Sequence, residues 1–388
     1  MNVPKLRFKE FSDEWKRYKL QDLCNIYLGV TYTPTYVKTG KIFISSKDIS
    51  KGYLDLSESK YISLEEYNKI SSNAKPKKGD VLFTRVGSNL GNPTVIETNV
   101  DLTIFVSLGY LRVNKLFNNY FSKYWMQSNY FWRQVESKVA GGAKQNLNTG
   151  WISKFDINVP TICEQEKISK TLQFLDKKIE LQSKKIEDFK LFKKGLNKNI
   201  FSNLNNKFKI GDLIIEYNKK TSTNNQYKVL SSTSNGIILQ NEYFNKQASS
   251  SDNSGYKIVP RGFITYRSMS DTGEFHFNIQ NIIEIGIVSP AYPVFTINEN
   301  IVDKDYFVYY INENKSFKNK ILSSKEGGTR YALSISKFRD IKLDLPSLKH
   351  QKEYSKLLMA YNQKIKQEQN KLDKLHELKK GLMQNMFV

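Results

Sequence analysis

Between residues 161 and 201 apolar side chains recur at alternating steps of three and four: Ile168, Leu172, Leu175, Ile179, Ile186, Phe189, Leu196 and Ile200. This is the seam spacing of a coiled coil, and it predicts one long helix. Thr161 followed by Glu164 makes a capping-box start, and Pro160 blocks any earlier turn. About 38 helical residues reach roughly 57 Å. A rod of that length exceeds the core of one small domain and reads as a spacer. A second seam follows over residues 350–386, at Tyr354, Leu358, Tyr361, Ile365, Leu372, Leu375, Leu382 and Met386.

Ahead of the first rod the pattern changes. Short apolar runs at 41–49, 79–87 and 102–113 are separated by Gly, Asn, Ser and Lys, which predicts a β-rich segment with some helix. Tyr120, Tyr124, Phe131 and Val135 fall at helical spacing and predict one amphipathic helix over 120–139. Residues 141–150 are a loop by composition. Phe155, Ile157 and Val159 alternate with polar residues, so a strand closes the segment.

Sliding the chain on itself by 186 residues brings out a repeat. Tyr120-Phe121 meets Tyr306-Phe307, Tyr124 meets Tyr310, Phe131 meets Phe317, and Pro160 meets Pro346. The loop glycines and the Lys-Lys-Gly-Leu helix ends also coincide, without a gap, over about eighty residues. Globular segment and long helix are therefore duplicated in tandem. The amino-terminal parts match less well. KKGDVLFTRVGS (77–88) faces VPRGFITYRSMS (259–270), with the step from Gly to Arg one residue shorter in the second copy. Scaffold parts stay alike while the globular faces have drifted, as expected of one frame carrying two binding surfaces.

The two seams are interrupted at matching places, Gln182 with Glu368 and Lys193 with Lys379. Polar seam residues fix register. Antiparallel pairing with Ile179 on Leu382 and Leu196 on Ile365 would put Lys193 on Glu368 and Gln182 on Lys379. The alternative is that each helix packs on its own domain or on another chain. The expected fold class is α+β, with two tandem mixed α/β globular domains separated by two long helices that form an antiparallel coiled coil. The expected boundaries are 1–160 and 206–346 for the domains, and 161–205 and 347–388 for the spacers.

Charge adds a partner. Among 388 residues, 60 Lys and Arg face 38 Asp and Glu, a net charge of +22 that favours a polyanion, most often nucleic acid. Cys24 and Cys163, the only cysteines, argue against a disulfide framework, and the reducing cytoplasm is the expected location. No signal-like leader and no apolar run of membrane-spanning length is visible. His276, His350 and His376 lie apart from ligand clusters, so no metal site is expected. No phosphate-binding P-loop and no strand-linked G-x-G-x-x-G occurs, and Asn92-Pro93 continues as Thr94-Val95, an ordinary turn. A binder or scaffold is expected over an enzyme.

Base reading needs side chains that reach base edges, held in place by phosphate contacts; Arg suits guanine, and Asn or Gln suits adenine. The candidate DNA-binding residues lie in polar loops beside Gly and Ser. In the first copy they are Ser45, Ser46 and Lys47, then Arg85 with Ser88 and Asn89, then Lys144, Gln145 and Asn146. In the second they are Ser231, Ser232 and Thr233, then Arg267 and Ser268, then Arg330 and Tyr331.

WKRYKLQDL (15–23), GDVLFTR (79–85), the GGAKQNLN loop with its GGTRYALS twin, and the two helix ends together resemble the specificity subunit of type I restriction–modification systems. The resemblance covers essentially the whole chain. The second copy departs where Tyr331-Ala332 replace Gln145-Asn146. The resemblance implies that each domain reads one half of a bipartite site in double-stranded DNA and that the helices set the gap. It implies two docked methyltransferase subunits, which carry S-adenosylmethionine, and restriction/translocase subunits that can join. It implies neither a cofactor nor catalysis in this chain. The alternatives are a stand-alone nucleic-acid-binding scaffold without methyltransferase partners, and a nucleic-acid enzyme with an unrecognised site.

Overall fold

The computed structural model describes residues 3–87, 90–138, 146–200, 206–240, 252–324 and 331–388. They form two compact units, Met1–Lys184 with Asn370–Val388, and Lys185–Gln369. Each unit thus contains a globular part and two stretches of long helix.

In the first unit the apolar runs become strands. β2 (Cys24–Leu28), β9 (Leu108–Val113), β6 (Val81–Thr84) and β7 (Gly91–Val95) form an antiparallel sheet in that order. β3 (Tyr36–Val37), β5 (Lys60–Ile62), β4 (Lys41–Ile44) and β8 (Leu102–Ile104) form a second, in which β4 and β8 run parallel. All four β6 side chains are buried, which is why that run shows no alternation. β1 (Lys16–Lys19) pairs with β10 (Asp156–Val159), Lys16 opposite Val159, so a strand closes the domain as expected.

The helix expected over 120–139 is two helices, Asn119–Gln127 and Asn129–Lys138. Ser128 between them is extended (φ −76°, ψ 158°), and its hydroxyl accepts from the Phe131 amide at 3.4 Å. A helix-capping side chain within an apolar period broke the pattern without disturbing its phase, so periodicity alone missed it.

The second unit repeats the plan. β12 (Ile214–Glu216), β20 (Val294–Ile297), β16 (Ile264–Tyr266) and β18 (Phe277–Ile279) form one sheet. β14 (Gly236–Leu239), β13 (Lys228–Thr233), β19 (Ile285–Val288) and β15 (Lys257–Pro260) form the other, with β13 and β19 parallel. β11 (Asn206–Lys209) pairs with β22 (Lys342–Leu345). A short pair, β17 (Met269–Ser270) with β21 (Tyr331–Ala332), is added. Gly79 (φ +91°) and Gly262 (φ +81°) make the same turn into the buried strand, which marks these positions as equivalents.

The long helices span Ile162–Ile200 and Leu348–Asn385. Every seam residue named above is buried or half-buried. Within each unit the two stretches run antiparallel. In the first, Ile168 and Leu172 share a core with Leu382, Met386 and Phe387. In the second, Ile200 and Leu196 share one with Tyr354 and Leu358. The register differs from the expected one. Lys379 meets Asp176 at 2.6 Å, six residues before Gln182. Glu368, fully buried, meets Lys185 at 3.2 Å, eight residues before Lys193, and Lys364 at 3.5 Å. The Lys193 ammonium lies over the Tyr309 ring instead, 5.2 Å from its centre. The displacement is about one heptad. An apolar seam repeats every seven residues, so a slip of seven buries nearly the same surface, and the pattern cannot distinguish the two registers.

Glu164 does not act as a simple capping-box partner. Its buried carboxylate receives Arg7 Nε and Nη2, each at 2.8 Å, and the Trp15 indole N–H at 3.3 Å. The Leu6 amide donates to the Asn385 carbonyl at 2.9 Å, satisfying an end of the C-terminal helix. The amino-terminal segment is thereby tied to both long helices of its unit. Replacing Arg7 with alanine leaves a carboxylate whose side chain is 1% exposed without its partner. Arg7→Ala should lower stability in urea by about 3–5 kcal/mol, read by far-ultraviolet circular dichroism, and Arg7→Met with Glu164→Gln should recover most of it. A loss below about 1 kcal/mol for the single variant would contradict this role for the pair.

Candidate nucleic-acid interface

In the first unit three distant segments meet around the turn at 105–107. Ser45 precedes a short 3-10 turn, Ser46–Ile49, and its amide and hydroxyl both donate to Asp48, at 2.7 and 3.1 Å. The Ser46 amide donates to the Ser107 hydroxyl at 3.2 Å, and the Arg85 amide donates to the Ser107 carbonyl at 2.8 Å. The Arg85 guanidinium donates to the carbonyls of Leu147 and Val106 at 3.2 and 3.3 Å, and to the Asn146 side chain at 3.5 Å. Burial pushes its pKa down, though arginine stays charged. Arg85 is therefore a clamp across three segments, with its donors directed at the protein. Lys47 is exposed and paired with Glu58 at 2.9 Å, a contact that costs little to exchange for phosphate. Ser107, which joins two candidate segments, was not singled out in the sequence; the signal was a hydroxyl inside an apolar run.

The second unit closes with the same bond but different residues. The Leu147 amide donates to the Arg85 carbonyl at 2.9 Å, and the Leu333 amide donates to the Ser268 carbonyl at 2.8 Å. Together with Gly79 and Gly262, this makes Ser268 the equivalent of Arg85, and Arg267 the equivalent of the buried Thr84. The two arginines are not counterparts. They leave opposite faces of the strand, because the shorter step from glycine changes the face. Arg267 is exposed and makes no hydrogen bond or ion pair among the described residues. It lies close enough to Tyr292 to oppose the rise that burial imposes on that phenol.

Ser268 donates its hydroxyl to the Ala291 carbonyl at 2.7 Å. Tyr331 lies opposite Ser270, and its ring covers the left-handed Gly273 turn. Ser232 corrects the expectation for its loop. It is 7% exposed, its hydroxyl lies 3.3 Å from the Thr265 carbonyl, and it receives Asn278 Nδ2 at 2.7 Å. It links two sheets and cannot touch a ligand; strand alternation puts it inward, with half-buried Ser231 and Thr233 on the other face. Ser88, Asn89, Lys144, Gln145 and Arg330 lie outside the described residues.

Among the described residues no group of three His, Cys, Asp or Glu is placed to hold a metal, and no helix is long and apolar enough to cross a membrane. In each unit the geometry offers exposed cations and polar loops on a frame of paired strands.

A family model described as the type I restriction modification DNA specificity domain matches residues 12–190 and again 203–377. The chain belongs to this family. The duplicated plan and the resemblance expected from the motifs are thereby borne out. A protein of Methanocaldococcus jannaschii named as a type I restriction enzyme specificity subunit is 23% identical over 98% of this chain and 95% of its own length. The solved S subunit of a type I restriction–modification system from M. genitalium has a TM-score of 0.59 at 15% identity, covering 100% of this chain and 99% of that one. A chain from a structure concerned with complex assembly and conformational transition of the type I system scores 0.53 at 14% identity, covering 95% and 96%. These structural likenesses bear on the fold.

The two arginines give a direct test. Arg85→Ala should lower the melting temperature and speed amide exchange at Val106 and Leu147. Arg267→Ala should leave the melting temperature unchanged within about a degree, since exposed side chains without partners contribute little. Equal effects would contradict the clamp assignment.

Proposed function

We propose that this chain is the non-catalytic DNA-recognition subunit of a type I restriction–modification complex and directs adenine methylation and restriction to a split site. Residues 1–160 and 206–346 are the two target-recognition domains, each reading one half-site. Residues 161–205 and 347–388 are the spacers that set the gap. Two methyltransferase subunits, which bind S-adenosylmethionine, dock on this frame, and restriction/translocase subunits join them.

The observation that carries this reading is the recurrence of one strand plan with exchanged polar groups at the same frame positions: Arg85 against Ser268, and Thr84 against Arg267. A frame kept constant while its polar surface changes is what two readers of different sequences need. Arg267 has the chemistry for a guanine edge in the second half-site. Lys47 suits a phosphate in the first. The net charge of +22 supplies the non-specific attraction.

The modular reading is tested by exchanging residues 206–346 for the corresponding domain of another family member and mapping methylated adenines. One half-site should change and the other stay. A change in both half-sites, or in neither, would count against it.

A further inference from the structure

In both units a buried inner strand leads to an exposed apolar side chain at the same place in the frame. In the first, β6 leaves its sheet at Thr84, and Val86 sits opposite Asn146 in an isolated antiparallel bridge. In the second, β16 ends at Tyr266, and Met269 sits opposite Ala332 in the short pair of β17 and β21. Asn146 and Ala332 are equivalents at the 186-residue offset, and each precedes the leucine whose amide closes the frame on Arg85 or Ser268. Val86 and Met269 are therefore equivalents too. They are 44% and 42% exposed, and among the described residues neither packs into the apolar clusters of its unit. A single exposed apolar side chain on a surface is ordinary. Two at one position of a duplicated frame, where the neighbouring side chains have been exchanged, call for a cause.

The backbone around each is fixed from the inner side. In the first unit the Arg85 amide donates to the Ser107 carbonyl at 2.8 Å, and the Leu147 amide donates to the Arg85 carbonyl at 2.9 Å. In the second the Ser268 hydroxyl donates to the Ala291 carbonyl at 2.7 Å, and the buried Ser270 hydroxyl accepts from the Gly273 amide at 3.0 Å. With these residues facing inward, strand alternation turns Val86 and Met269 outward. Base-reading chemistry lies beside them on the outward side. Met269 has Arg267 two residues back on its own strand, exposed and without a hydrogen bond or ion pair among the described residues. Val86 has the exposed Asn146 directly opposite.

We propose that Val86 and Met269 are specificity-determining residues that read the 5-methyl group of a thymine from the major groove, one in each half-site. This deepens the reading in which each domain recognises one half-site, and rests on it. The groove follows from the neighbours. Arg suits guanine O6 and N7, Asn suits adenine N6 and N7, and both edges face the major groove. The thymine methyl is the one bulky apolar group displayed there, so it is the partner for an apolar side chain set beside such donors. A two-stranded ribbon such as β17 with β21 fits that groove. An intercalating wedge fits less well: wedges enter from the minor groove, and Val86 is short and stiff at χ1. Residues two apart on a strand are separated by about 6.7 Å, close to two base-pair steps of roughly 3.4 Å. The thymine read by Met269 thus lies within about two base pairs of the guanine read by Arg267.

The test uses the full-length chain in complex with its methyltransferase subunit, and duplexes carrying the site mapped from its methylated adenines. Each thymine is replaced in turn by deoxyuridine, which removes the methyl and keeps the base pairing. One thymine in each half-site should weaken binding about three- to fivefold when replaced, the effect of losing one buried methyl. Met269→Ala should abolish that sensitivity in one half-site and keep it in the other, and Val86→Ala should do the reverse. Met269→Gln and Val86→Thr, of similar volume, should repeat the result and guard against a loss of fold. Site-specific binding that is indifferent to every thymine methyl, or methyl sensitivity that survives in all the variants, would overturn the proposal while leaving half-site recognition intact. Variants that lose affinity equally for every duplex would make the two side chains part of the fold or a wedge, and would also overturn it. A natural complex that binds no defined site would overturn the half-site reading itself, and this proposal with it.

Discussion

A carboxylate without access to solvent governs how the helices of the second unit meet. Glu368 sits in a mainly apolar seam and is bound by Lys185 and Lys364. A buried charge that loses its partner costs several kcal/mol, more than a seam gains from most apolar contacts. The apolar residues allow registers seven residues apart to bury similar surface. The polar residues choose between them. In the first unit Asp176 has that role, bridged by Lys379 and the Tyr124 hydroxyl. Both pins tie helix to helix, and Asp176 also ties the helix to the globular core through Tyr124. Helix register and domain docking are thus set together.

The large features of this architecture could be read from the chain because they repeat. Two seams at heptad spacing, the closing strands at Val159 and Leu345, and the duplicated loop-to-helix segment each appear twice, and two weak signals at one offset make a strong one. The features that escaped are those where a single polar residue decides between alternatives of similar apolar content. Ser128 splits a helix without disturbing its phase. Glu368 selects Lys185 over Lys193. Ser232 reads as a loop hydroxyl but faces inward because the strand around it continues. Arg85 and Arg267 look like equivalents in the sequence, yet the one-residue difference after the glycine places them on opposite faces of the strand. For Glu368 and Ser232 the deciding contact joins residues far apart in the chain, and no local pattern records it.

The same logic describes how the two copies have diverged. The closing bond from Leu147 to Arg85 and from Leu333 to Ser268 is a backbone bond, so it survives exchange of the side chain. The frame is held by main-chain pairing, buried strands and left-handed glycines, all indifferent to what the exposed residues are. Side chains around it are then free to specialise, as a clamp in one copy and an unpartnered cation in the other. A duplicated scaffold with independently variable surfaces is the physical form expected of a protein that recognises two unlike sequences through one assembly.

The proposed role of the long helices is to convert their length into distance along DNA. Its most direct measurement is the map of methylated adenines for the natural chain and for a variant with four residues inserted in both long helices at matching positions. Four residues add about 6 Å, close to two base pairs at roughly 3.4 Å each. The account predicts the same two half-sites with the gap between them wider by about two base pairs. An active variant whose gap is unchanged, or a natural site with no gap, would contradict it.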